Sequence, residues 1–149
     1  MATMSGGQKL EAALRAMAQK VENPGTLRIG FLENARYPDG KPVAMIAAIQ
    51  EFGAPARGIP PRPFFRNMIS AKSGEWPNAI SGLLKANGLD AAKTLAQTGS
   101  AIAGQLRQSI VDLWEPPLAE STIRRKGHSK PLIDTGVLIN SIDFEVNSK

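Results

Sequence analysis

The chain contains no cysteine and only one histidine. The first absence excludes disulfides, a thiolate nucleophile and any cysteine zinc site. The second excludes a histidine-rich metal centre and leaves His128 alone to do the acid–base work that enzymes most often give to histidine. Aromatic residues make up 5% of the chain, too few for a platform that stacks single-stranded bases. No apolar run approaches the ~18 residues of a membrane-spanning helix. Met1 to Gly7 lacks the basic-then-apolar pattern of a signal peptide. Neither G-x-x-x-x-G-K-[ST] nor G-x-G-x-x-G occurs, and there is no helix-turn-helix or RNA-binding signature. No cofactor and no metal are expected.

What remains is ordinary globular material. The 149 residues are 42% hydrophobic and 21% charged, which suits one folded domain over residues 1–149 and not a disordered chain. The formal net charge of +5 favours an acidic partner only weakly.

Periodicity divides the chain into elements. Leu10, Leu14, Met17 and Val21 share one face of a helix over Gln8–Val21, stopped by Asn23-Pro24-Gly25. Leu27, Ile29 and Phe31 alternate with polar or small residues, predicting a strand over Thr26–Glu33. Pro38-Asp39-Gly40 is a turn, and Pro42 opens a helix that closes at Phe52-Gly53. Residues 54–63 hold four prolines and a glycine and predict a stiff, extended loop. Phe64–Ala71 reads as a short helix whose Phe64 and Phe65 anchor that loop to the core. A further apolar stripe follows in Ser73–Asn87. Asp90 is placed to cap the longest helix, which runs to about Leu113. Gly99 and Gly104 inside it are either a tolerated cost of about 1 kcal/mol each or points where another helix or subunit comes close.

Trp114-Glu115-Pro116-Pro117 breaks that helix, and residues 115–136 are expected to be an extended loop region carrying a short basic helix over Leu118–Lys126. Trp114 is expected as a lid on the core. Asp134 or Thr135 is placed to cap a short helix over Val137–Ser141. Ile142, Phe144 and Val146 alternate in a second strand suited to pair with the first. The predicted fold class is α+β: a small antiparallel sheet packed against several helices, one of them long, with an extended proline-rich loop.

Chemistry-bearing residues are sparse. Ser121, His128 and Asp134 are the residue types of a hydrolase triad, but no G-x-S-x-G elbow surrounds any serine, and a polar loop explains them as well. Two basic clusters stand out: Arg57, Arg62 and Arg66, and then Arg124, Arg125, Lys126, His128 and Lys130. Arginines on a proline-stiffened loop suit carboxylates of a neighbouring subunit or phosphates of DNA, and a solvated rim is the plainer alternative.

Two ordered blocks carry a resemblance. Val43-Ala44-Met45-Ile46-Ala47-Ala48-Ile49-Gln50-Glu51-Phe52-Gly53, followed by Ile59-Pro60-Pro61-Arg62-Pro63-Phe64-Phe65-Arg66, is similar to small virion-morphogenesis proteins of tailed bacteriophages. So are Trp114-Glu115-Pro116-Pro117-Leu118, Ser121-Thr122-Ile123-Arg124-Arg125-Lys126-Gly127 and Lys130-Pro131-Leu132-Ile133-Asp134-Thr135-Gly136, with Leu138 and Ser141-Ile142.

The resemblance implies a structural protein of the head–tail neck, a collar or tail-completion component and not an enzyme. Copies would form a hexameric or dodecameric ring between head-closure or connector and tail-terminator proteins, in transient contact with double-stranded DNA in the channel and with no membrane involved. It would assemble in the host bacterial cytoplasm and end in the virion. Expected subunit or partner contacts are Arg57, Arg62, Phe64, Phe65, Arg66, Trp114, Arg124, Arg125, Lys126, Lys130 and Asp134. Two rival readings of the basic clusters and the polar loop are a DNA-binding packaging accessory protein and a carboxylate hydrolase.

Overall fold

The computed structural model describes residues 7–22 and 25–147. The expectations placed on Met1–Gly6 and on Asn23-Pro24 therefore lie outside the described residues. Helix α1 (Gly7–Glu22) is followed by strand β1 (Thr26–Phe31), helices α2 (Val43–Phe52), α3 (Phe64–Lys72), α4 (Trp76–Ala86) and α5 (Ala91–Asp112), short helices α6 (Glu120–Lys126) and α7 (Val137–Asn140), and strand β2 (Ile142–Asn147). The α+β class holds: the two strands form an antiparallel pair and α5 is the long helix.

Helix α5 is the column on which the rest is built. Asp90 caps it, its side chain accepting from the Lys93 amide at 3.0 Å. Ile102, Ala103, Leu106 and Ile110 recur at helical spacing and are buried. Against them pack Val43 and Ala47 of α2, Phe64 and Met68 of α3, Leu138 of α7 and Ile142 of β2. In the sheet, Phe31 pairs with Ile142, Ile29 with Phe144 and Leu27 with Val146, so the apolar members of both strands share the face laid on α5. Strand β1 ends at Phe31, not Glu33, because β2 supplies its last partner there at Ile142.

Gly99 marks the closest approach of sheet to helix: a side chain there would collide with the Phe144 ring and with Leu27. Of the two readings of the helix glycines, close approach applies at Gly99, and the neighbour is the chain's own sheet. Gly104 is different, since a Cβ added there would meet nothing within 4 Å.

The expectation of an extended loop over residues 54–63 is corrected in its first half. Ala54 and Ile59 bond to each other in both directions, at 2.9 and 3.2 Å, across a single 3-10 turn at Pro55–Arg57. Gly58 adopts the left-handed conformation that lets the chain close on itself. Only Pro60–Pro63 runs on without helix, strand or turn. Gly53, with φ of 76°, is needed at the end of α2, because a Cβ would sit 2.8 Å from the Pro61 nitrogen. Trp114 is also corrected. Leu113 takes the buried position at the end of α5, and Trp114 is 56% exposed. Neither Asp134 nor Thr135 caps α7; Gly136 holds the cap position in the left-handed conformation, without a side-chain bond.

Helix α1 stands apart from the core, with every one of its residues exposed. Lys20 Nζ donates a long 3.4 Å hydrogen bond to Gly88 O, placing the C-terminal end of α1 beside the α4–α5 turn.

Candidate interaction surfaces

Two charged side chains fasten the proline-rich segment to the body. Glu51 is buried near the end of α2 and accepts from the Phe65 and Arg66 amides of α3 at 2.9 and 3.2 Å, and from Arg66 Nε at 2.7 Å. These amides belong to the first turn of α3, whose own cap residue, Pro63, provides no side-chain cap. A carboxylate from one helix thus caps another, the position that a helix dipole favours for negative charge. Arg66 NH2 also donates to Glu51 O, and its guanidinium carbon lies 5.0 Å from the ring centroid of Phe52, which is otherwise exposed.

Arg62 is the second fastener. It is 5% exposed and donates through Nε to Pro116 O and through NH2 to Pro117 O, both at 3.2 Å, with a longer bond to Gln50 Oε1. Burial pushes its guanidinium down from the ordinary arginine value. An arginine expected to grip a neighbour therefore spends its donors holding residues 116–117 against α2. Proline carbonyls in an irregular segment have no ladder to bond to, and a guanidinium fork satisfies two at once.

Around Arg62 opens a cleft of 730 Å³ that brings Arg125, Lys126 and Asp134 together with Tyr37, Asp39 and Lys41. Burial lowers the Lys126 ammonium, opposed by Asp134 and aided by Arg62 and Arg125. Tyr37 is raised by burial and then by the carboxylates Asp134 and Asp39. The cleft offers charges of both signs, which suits recognition of a polar surface.

Helices α3 and α5 leave a groove of 790 Å³ with Ala71, Ala101 and Gly104 along it beside the polar Asn67, Gln105 and Gln108, and with Asp112, Trp114 and Glu115 at one end. Lys130 Nζ lies 4.0 Å from the Trp114 ring centroid and donates to Leu113 O at 2.6 Å. Burial lowers its ammonium, against the pull of Asp112. This fixes the ring as an exposed wall of the groove mouth.

The expected contact residues thus divide. Phe64 is buried and Phe65 half-buried, so they anchor the segment to the core. Arg57 projects from the 3-10 turn, and Arg124 forms a loose exposed pair with Glu120 at 3.7 Å. His128 Nδ1 accepts from the Lys130 amide at 3.3 Å, and among the described residues no hydrogen bond joins it to Ser121 or Asp134. Nor, among those residues, could any group of three or more His, Cys, Asp or Glu hold a metal ion. No helix among them is long and apolar enough to cross a membrane.

Sequence reasoning missed Glu51, although the one carboxylate of α2, near the end of a mostly apolar helix, was a visible signal. It also missed the groove, which arises from small residues on two helices far apart in the chain. No protein-family model, curated protein or solved structure matches this chain.

Proposed function

We propose that the chain is a structural subunit of a tailed-bacteriophage virion, one of several copies in a ring at the head–tail neck that completes the joint between filled head and tail. The observation that carries this reading is helix α1. Its apolar stripe, Leu10, Leu14, Met17 and Val21, is 40–59% exposed and covers no core among the described residues. Most helices in proteins owe their stability to packing of an amphipathic face, so an uncovered stripe suits a subunit that meets a neighbour.

Two further features support the reading. The two sequence blocks that resemble phage morphogenesis proteins meet in space, since Arg62 of the first holds Pro116 and Pro117 of the second. Both surfaces offer contact area, the cleft with charges of both signs and the groove with small residues along it. Contacts with connector and tail-terminator proteins, and with DNA in the channel, belong to this proposal. The rival reading, a DNA-packaging accessory protein, loses two of its arginines, because Arg62 is buried and Arg66 is held by Glu51. Mass spectrometry of purified particles, joined to a density map of the neck, tests the proposal. The chain is expected in the particles at the head–tail joint, in a fixed multiple. A protein absent from mature particles, or one giving a strong gel shift with duplex DNA at physiological salt, would overturn it.

A further inference from the structure

We propose that α1 of one copy docks in the α3–α5 groove of the next, so that each subunit gives a helix to one neighbour and receives a helix from the other. This rests on the proposal that the chain is a subunit of a self-assembly, and it names the two surfaces that meet.

The two surfaces are unlike and complementary. One is a convex apolar stripe without a partner; the other is a concave floor with small residues along it, where Gly104 leaves open space. Their lengths agree. Leu10 to Val21 and Ala101 to Asp112 each span about 16 Å of helix at the standard rise. The charges are opposite in sign: α1 carries Lys9, Arg15 and Lys20 against Glu11 and Glu22, and the groove carries Asp112 and Glu115 against Lys72.

Docking within one chain is opposed by geometry. The sheet lies on the Gly99 side of α5, and Gly104 is turned about 140° away from Gly99 around the helix. With a layer on each side of α5, an α1 lying in the groove would be about 18 Å from β1. The chain between Glu22 and Thr26 reaches only about 14 Å. A contact between two different patches of one chain is heterologous, and it propagates around a ring when the rotation closes.

The absence of native cysteine makes the test direct. Full-length chains carrying Leu14→Cys and Gly104→Cys are mixed, oxidised and run without reductant, alongside each variant alone. The expected result is a mixed disulfide dimer that forms only in the mixture. Sedimentation velocity adds a second measure, in which Leu14→Glu and Gly104→Phe each weaken self-association at least tenfold, while their equimolar mixture forms heterodimers and nothing larger. Leu14 and Gly104 are both exposed, so these variants keep the core intact.

Oligomers that form in the wild-type chain and persist in both the Leu14→Glu and Gly104→Phe variants would overturn the groove contact and leave the assembly reading standing. A wild-type chain that stays monomeric at high concentration would overturn both. A chain carrying both cysteines that closes an internal disulfide as a monomer would show docking within one chain and likewise overturn the proposal.

Discussion

The ring of Phe144 in β2 occupies the space that a side chain at position 99 of α5 would need. This contact lets the two-stranded sheet lie flat on the long helix. Gly99→Ala is therefore expected to destabilise the fold by about 1–3 kcal/mol through overpacking, despite the better helix propensity of alanine. Gly104→Ala faces open space and is expected to stabilise by up to about 1 kcal/mol. Urea denaturation midpoints check both, and equal shifts for the two variants would contradict the close approach at Gly99.

Glu51→Ala leaves two α3 amides and the Arg66 guanidinium without their carboxylate. The expected cost is about 2–3 kcal/mol, on the scale of lost hydrogen bonds to a charged group. Glu51→Gln keeps an acceptor and is expected to cost less. Hydrogen exchange at the Phe65 and Arg66 amides should quicken in Glu51→Ala, and unchanged protection there would refute the cap.

Arg62→Lys replaces a fork that reaches two carbonyls with a single ammonium. The effect is expected first in residues 115–119, as faster limited proteolysis after Leu118, with about 1.5–3 kcal/mol lost overall. Proteolysis that starts elsewhere and spares this segment would show that Arg62 is not its fastener.

Tyr37 is the chain's one tyrosine, so phenolate absorbance reports it alone. Burial, Asp134 and Asp39 hold its phenol protonated above the ordinary value of 10.0. The folded chain then keeps this proton after the unfolded chain has lost it, so the contribution from Tyr37, complete below pH 10, falls as pH rises through its folded value. Lys126 and Lys130 act with the opposite sign. Their lowered values make the unfolded chain bind more protons just below 10.5, so stability rises with pH there. The native titration should have its midpoint above 10, and a midpoint at or below that value would contradict the buried phenol.

Trp114 is 56% exposed and stacked by the Lys130 ammonium, so Lys130→Met is expected to move its fluorescence with about 1 kcal/mol lost. Trp76, bonded to Gln105 at 2.9 Å, should be unaffected. An unchanged emission spectrum would separate the two side chains.

Local pattern alone determined much of this protein. The Asp90 cap, the period of Ile102, Leu106 and Ile110, and the alternation in both strands each follow from backbone geometry and one side-chain period, so the α+β class and nearly every element boundary could be read from them. The stripe of α1 was legible too, but whether a core would cover it depended on residues far away in sequence. Only the tertiary structure decided that Arg62 turns inward while Arg57 stays out, that Gly99 is filled by a ring and Gly104 by nothing, and that Trp114 yields the core to Leu113. Each of these depends on which distant atoms arrive at a given point, and a hydrogen bond or a collision across the fold leaves no period in the chain.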